Sequence, residues 1–159
     1  MTFIYASTHF NVVSAEPPHV DRNDGGHIVI SPKVRVSSKA HLAPHQLIEL
    51  IRLDTLVGQA MITVMNRHGV DVGRINSQDN GNWGVDIPEG PSLHIHIYGR
   101  AKSAKIQQWG HALYLPHKRD HPAFYHQLKP LSSEDVADIQ QEIQRLLTEE
   151  KYVDTHWRL

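Results

Sequence analysis

Residues 92–100 read SLHIHIYGR, and this stretch decides the fold of the chain. Apolar and polar side chains alternate along it, which is the pattern of a β-strand that buries one of its faces. The apolar set faces a core. The opposite face carries Ser92, His94, His96 and Tyr98. Two imidazoles in a row, with Arg100 beyond the strand end, can hold an anion, and imidazole changes its protonation near neutral pH. The stretch therefore predicts phosphate chemistry.

The composition limits the classes of protein to which the chain can belong. Its 159 residues suit one domain with a core of its own, and the absence of cysteine excludes disulfides and thiolate zinc sites. A net charge of -1 excludes a broad basic surface for long nucleic acid. Residues 1–6 lack the basic and apolar segments of a secretion signal, and no apolar run is long enough to span a bilayer. We therefore expect a cytoplasmic protein without a membrane partner.

Four other segments have the composition of strands. They are residues 9–15, 27–31, 70–76 and 109–115, the last in an otherwise irregular region. Pro32 follows the second of them, and proline cannot donate a hydrogen bond to a central strand. With the histidine-bearing strand, these segments predict a sheet of about five strands.

Two helices accompany the strands. Residues 44–68 place apolar side chains at helical spacing, begin with a proline and are followed by Gly69, a common helix stop. A second helix begins at Ser132, which can cap it by exchanging hydrogen bonds with Asp135. The elements predict an α+β fold in a single domain, residues 1–159. An antiparallel sheet carries one long helix and a C-terminal helix.

The histidine-bearing strand resembles the signature of the histidine triad (HIT) family, His-φ-His-φ-His-φ-φ, where φ is apolar. The segment HIVISPK at residues 27–33 resembles the family's upstream strand, and Asn76 stands where the family usually has an asparagine. Three matches at compatible spacings, in a fitting order of elements, make the resemblance specific. It covers about residues 10–100, and residues 101–150 hold an irregular segment and the C-terminal helix.

The resemblance implies a HIT-like fold and a nucleotide hydrolase or nucleotidyl transferase. Its substrates would be dinucleoside polyphosphates, nucleoside phosphoramidates or similar compounds. His94 would be the nucleophile and would form a covalent nucleotidyl-histidine intermediate that water resolves. His96 would contact phosphate oxygens or help to protonate the leaving group. His27 would lie near the same phosphate, which Asn76 would orient by a hydrogen bond. No cofactor is implied, and the covalent step needs no metal.

Two departures from the family pattern affect the substrate contacts. Ser92 stands at the first triad position, and its hydroxyl can partly replace the missing imidazole, which predicts retained but slower or altered chemistry. The loop before it is longer than usual, so Asn82 or Ser92 is our choice for its phosphate contact. The family's acidic residue for the ribose hydroxyls corresponds to Glu16 or Asp21. The resemblance also implies a homodimer with the long helix at or near the interface.

Other interpretations remain open. A nucleotide-binding or regulatory module without turnover, left by the altered triad, is the alternative to an enzyme. The two histidines of the strand can instead ligate one metal ion, with His27 or His111 as the third ligand. Trp83 and Trp109 can stack on a base, although core packing is the more common role of tryptophan. Four further histidines are predicted to be exposed, with covering the pocket or joining a subunit contact as the alternatives: His111, His117, His121 and His126.

Overall fold

The sheet of the molecule has five antiparallel strands. The computed structural model describes residues 1–85 and 87–159, and of Asn82 the backbone alone. The strands are β1 (Thr2–Ala6), β2 (Phe10–Ser14), β3 (His27–Pro32), β4 (Val72–Asp79) and β5 (Ile95–Ala101). Their spatial order is β1-β2-β3-β5-β4, so β5, which begins directly after His94, lies between β3 and β4. The predicted α+β fold with about five antiparallel strands is confirmed.

The identity of the fifth strand differs from the prediction. Residues 109–115 are irregular, and the fifth strand is β1, which pairs with β2 across a register shift between Phe3 and Tyr5. The side-chain amide of Gln107 bonds both the N–H and the carbonyl of Tyr114, each at 2.9 Å. The backbone groups of Tyr114 are therefore satisfied by a side chain instead of a neighbouring strand.

The helices are α1 (Pro44–Arg67), α2 (Pro122–His126), α3 (Ser133–Leu146) and α4 (Asp154–Trp157). The long helix α1 ends one residue before its predicted boundary, and Gly69 follows with φ at +81°, a conformation that glycine adopts without strain. The predicted cap of α3 is confirmed. Ser132 Oγ accepts from the N–H of Asp135 at 3.1 Å, and the Asp135 carboxylate accepts from the N–H of Ser132 at 2.8 Å.

One face of the sheet forms the core with α1 and α3. Alternate residues of the strands, such as Val12, Ile28 and Ile97, are fully buried there against Leu53 and Met61 of α1. Burial of each such side chain contributes about 1.5–3 kcal/mol to folding. Because neighbouring residues of a strand point to opposite faces, the histidine row lies on the face away from α1.

Two segments of the chain approach each other closely where β3 begins beside β5. A Cβ atom added at Gly99 would lie 2.2 Å from the carbonyl oxygen of Gly25, and one added at Gly25 would lie 2.3 Å from the Gly99 carbonyl group. Gly25 also has φ at +128°, which L side chains rarely adopt. The N–H of Gly99 donates to the carbonyl of Gly26 at 3.2 Å. Two glycines therefore set the distance between the strands that carry His27 and His96.

In the part of the chain that the structure describes, no helix combines the length and the apolar character needed to cross a bilayer.

Candidate active site

A cavity of about 640 Å³ opens on the face of the sheet away from α1. This volume lies within the range of small-molecule sites. Its floor is formed by outward-facing residues of β2 and β3, including Val13 and Val29, and by the histidines beside them. Loop residues form its walls, with Glu16 on one side, Trp83 on another, and Lys118 from the irregular segment. The cavity is the place where strand side chains and loops from distant parts of the sequence meet.

The structure brings most of the predicted site residues to this cavity. The predicted residues that line it are Glu16, His27, Ser92, His94 and His96. The predicted contact Asn76 is not among them, because its Oδ1 accepts from Arg100 Nη1 at 3.1 Å. Asn80, four residues later, does line the cavity. The side chain of Asn82 lies outside the described part of the chain.

The ring of His94 is oriented by the backbone two residues earlier. Its Nδ1 lies 2.8 Å from the carbonyl oxygen of Ser92. A carbonyl only accepts, so Nδ1 carries a proton and donates it. In the neutral ring, Nε2 is then free of hydrogen and holds a lone pair available to the cavity. The main chain of Ser92, and not its hydroxyl, fixes this tautomer.

A second set of hydrogen bonds fixes the protons of the two buried histidines. The backbone N–H of His19 donates to Nδ1 of His27 at 3.0 Å, so that nitrogen carries no proton. The proton of the neutral His27 ring is therefore on Nε2, which lies 2.8 Å from Nδ1 of His96 and donates to it. The proton of His96 is then on Nε2. This nitrogen is the hydrogen-bond donor that His96 offers to a ligand.

Burial keeps these rings uncharged. Loss of water around His96, together with the nearby His94 and His19, lowers its pKa to about 3. The pKa of His27 is lowered well below its ordinary value of 6.5, again mainly by burial and then by His19. Burial and the charge of Lys118 lower the pKa of His19 to about 4. At neutral pH, the floor of the cavity is therefore a set of neutral hydrogen-bonding rings.

Comparison with solved structures places this architecture among histidine triad proteins. A histidine triad protein from Bradyrhizobium japonicum aligns with a TM-score of 0.61 over 90% of this chain and 87% of its own, at 16% identity. A hypothetical histidine triad nucleotide-binding protein from Sulfolobus tokodaii aligns with a TM-score of 0.59, covering 95% of this chain and 89% of its own, also at 16% identity.

A third structure, a histidine triad protein from Marinobacter aquaeolei, aligns with a TM-score of 0.55 over 91% of this chain and 87% of its own, at 17% identity. The chain has the histidine triad fold. No protein-family model matches the sequence, and no curated protein matches it.

In this histidine triad fold, the imidazole of His19 lies beside those of the predicted site residues. His19 lines the cavity, with its ring 4.9 Å from the ring of His27 and 5.1 Å from that of His96 between centroids. Its Nδ1 lies 3.0 Å from the hydroxyl of Tyr98. No sequence pattern marks His19, because it stands in an irregular loop without periodicity. Its position eight residues before His27 is a signal only once the loop is known to fold back.

Three imidazoles of the cavity, two of them buried and that of His19 partly exposed, are also the group of described residues best placed to hold a metal ion. His19, His27 and His96 each offer one nitrogen, and these nitrogens all lie within 4.8 Å of one another. In the observed hydrogen bonds, however, Nε2 of His27 carries a proton. Coordination through that nitrogen would move the proton to Nδ1, which accepts from the backbone of His19. The observed arrangement therefore favours hydrogen bonding over metal ligation.

The irregular segment after β5 covers the site and is held in place by buried polar groups. The carboxylate of Asp24, 3% exposed, accepts from the backbone N–H groups of three consecutive residues at 2.8 to 2.9 Å. These three are Lys105, Ile106 and Gln107. Arg100, predicted to hold an anion together with the two strand histidines, is buried and donates to the carbonyls of Gln108 and His111. Arg100 thus anchors the segment.

Aromatic side chains from the β4–β5 loop and from the covering segment pack around His19. The ring of Trp83 lies 5.3 Å from that of His19 and 5.2 Å from that of His117, and Tyr125 lies 5.3 Å from His19. His117 therefore packs against Trp83, a residue of the cavity wall. The other three histidines of the segment are exposed, as predicted: His111, His121 and His126.

Proposed function

We propose that this protein cleaves nucleotides at the α-phosphate through a covalent nucleotidyl intermediate on His94. The observation that carries the proposal is the bond from Nδ1 of His94 to the Ser92 carbonyl, which leaves the Nε2 lone pair for the cavity. A neutral imidazole held in one tautomer is a competent nucleophile. The histidine triad fold supports the same class of reaction.

In the proposed first step, Nε2 of His94 attacks the α-phosphorus and a new P–N bond forms. The bond from phosphorus to the leaving group breaks, and its electron pair departs with that group. The Nδ1–H of His94 continues to donate to the Ser92 carbonyl, and this hydrogen bond stabilises the positive ring of the intermediate. Nε2–H of His96 and the amide of Asn80 donate to the phosphate oxygens, where negative charge develops.

In the second step, water attacks the phosphorus and the P–N bond breaks. The electron pair returns to Nε2 of His94, the nucleoside monophosphate is released, and a water proton passes to solvent. Glu16, which also lines the cavity, is the proposed partner of the ribose hydroxyls. Two copies of the chain are expected to pair through the exposed apolar residues of α1: Leu47, Ile48 and Ile51.

The test compares wild type with His94→Ala on a panel of adenylated and guanylated substrates, with mass spectrometry for one added nucleotidyl group. We expect turnover and an adduct on His94 in the wild type only. His111→Ala, a change at an exposed histidine outside the cavity, is the matched control and should keep full activity. Turnover that survives in His94→Ala would contradict the proposal.

A second candidate is a metal-dependent activity, which the convergence of His19, His27 and His96 favours. It predicts that metal copurifies with the protein and that a chelator removes the turnover. Under the covalent mechanism, chelation leaves the rate unchanged. A module that binds nucleotides without turnover is distinguished by binding with no product and no adduct.

A further inference from the structure

The cavity offers one lysine or arginine side chain to an anionic substrate. Among the described residues that line it, Lys118 alone is of this type. Lys118 is exposed, and no carboxylate of the described residues pairs with it. Its charge reaches into the site, because it lowers the pKa of His19. Arg100, the nearest predicted alternative, is committed to backbone carbonyls of the covering segment.

The hydrogen bonds of the floor limit what His96 can do with a proton. A doubly protonated His96 would carry hydrogen on Nδ1, where it now accepts from Nε2–H of His27. His27 cannot turn its tautomer to compensate, because its Nδ1 accepts from the backbone of His19. His96 therefore stays a neutral donor while these bonds last. A neutral imidazole cannot give up its remaining proton to a leaving group near neutral pH.

A leaving group in this site must consequently depart without a proton from His96. An amine leaves a phosphoramidate only when it is protonated, whereas a phosphate or polyphosphate leaves an anhydride as a stable anion. The anion needs a positive partner, and an ammonium at the cavity wall supplies one.

On the basis of the proposed function, we infer that Lys118 forms an anion subsite for the leaving group, and that the substrates are nucleotide phosphoanhydrides. In the first step, the P–O bond of the anhydride breaks and its electron pair stays on the departing phosphate oxygen, which the Lys118 ammonium binds. Compounds of this class carry phosphate on both sides of the scissile bond, as dinucleoside polyphosphates do.

The experiment measures kcat/KM for two substrates that differ in the leaving group alone, diadenosine tetraphosphate and adenosine 5′-phosphoramidate. Wild type should prefer the anhydride. Lys118→Gln should lower kcat/KM for the anhydride by about 10- to 100-fold, as expected for the loss of a charge-assisted hydrogen bond. The kcat/KM for the phosphoramidate should stay within about twofold, since its neutral amine leaving group needs no ammonium partner. Lys118→Arg should restore most of the anhydride rate.

The matched control is Lys129→Gln, which removes an exposed lysine outside the cavity and should leave both rates unchanged. Equal losses on both substrates in Lys118→Gln, the same loss in Lys129→Gln, or a wild-type preference for the phosphoramidate would each overturn the inference.

A binding measurement separates this inference from the proposed function. In the His94→Ala background, calorimetry compares adenosine 5′-tetraphosphate with AMP. Adding Lys118→Gln should weaken binding of the tetraphosphate about 10-fold or more and leave that of AMP unchanged. This result supports the subsite even if no substrate is turned over. Equal weakening for both ligands, or none for either, contradicts the subsite whatever the fate of the covalent mechanism.

Discussion

Nε2 of His27 and Nδ1 of His96 lie 2.8 Å apart and share one proton across neighbouring strands. The two residues are 69 positions apart in the chain. Their bond continues a path that starts at the backbone N–H of His19 and ends at the free Nε2–H of His96. The direction of every proton along this path is set by the backbone, and the ligand meets only its last donor.

Two substitutions at His27 separate the hydrogen bond from the ring. A glutamine can still donate an amide N–H to Nδ1 of His96, whereas a leucine leaves that nitrogen buried without a partner. We expect His27→Leu to lower the free energy of unfolding by about 1–3 kcal/mol more than His27→Gln does. Urea unfolding measures the difference. Equal stability of the two variants would show that the bond contributes little.

The backbone role of Ser92 predicts tolerance at the first triad position. Any residue except proline brings the same carbonyl to Nδ1 of His94 without altering the backbone, so Ser92→Ala should keep kcat/KM within about threefold, an effect of less than 1 kcal/mol. Ser92→His should likewise leave the tautomer unchanged. Steady-state kinetics on one substrate measures kcat/KM for these variants. A loss of 100-fold or more in Ser92→Ala would show that the reaction depends on the Ser92 hydroxyl and not only on its backbone carbonyl.

The buried histidines predict a loss of stability in acid. In the unfolded chain each ring takes up a proton below its ordinary pKa of 6.5, whereas the folded pKa of His96 is about 3 and that of His19 about 4. The unfolded state therefore binds more protons as the pH falls below 6.5, and the stability is complete only above that value. His96 alone should cost about 2 kcal/mol of unfolding free energy at pH 5.

Chemical denaturation at pH 7, 6 and 5 checks this dependence. His96→Gln should flatten the decline by the amount that His96 contributes, and His111→Gln, at an exposed position, should not. The raised pKa of His68, caused by its bonds to Asp135 and Asp138, acts in the opposite direction. Its stabilisation is complete below pH 6.5 and is lost as the pH rises through the folded pKa. A stability that does not change between pH 7 and 5 would contradict the prediction.

We expect the carboxylate of Asp24 to hold in place the segment that covers the cavity. Asp24→Ala leaves three backbone N–H groups without their acceptor, which should cost about 3 kcal/mol or more of stability. Hydrogen exchange at residues 105–107 should accelerate with it. The control Asp120→Asn alters an exposed carboxylate that lies 3.9 Å from His117. Unchanged exchange at 105–107 in the Asp24 variant would refute the anchoring role.

The strands and the long helix could be predicted because their signals are periodic. Alternation placed the histidines of residues 92–98 on one face, and the sheet then carries them to the cavity with His27. The fifth strand was missed because the short segment Thr2–Ala6 has no clean alternation and pairs only at the sheet edge. Within residues 109–115, Tyr114 bonds the side chain of Gln107 instead of a neighbouring strand, and no sequence pattern predicts that contact.

Most of the candidate site residues on or next to strands were predicted, whereas the loop residues His19 and Lys118 were missed. His19, Trp83 and Lys118 reach the cavity because three loops fold over the sheet, and that convergence depends on tertiary packing. The asparagine prediction placed the end of a strand at Asn76. β4 continues to Asp79 instead, so the residue just past the strand is Asn80. A boundary shift of a few residues was enough to exchange one amide for another.

The close contact of Gly25 and Gly99 has a consequence for how mutational data on this protein should be interpreted. A methyl group at either position would force the two backbones apart and would pull the ring at 27 away from its acceptor at 96. In a saturation scan, both positions would score as essential although neither holds a reactive atom. Their intolerance would reflect the close spacing of two main chains, and the two glycines would be mistaken for catalytic residues.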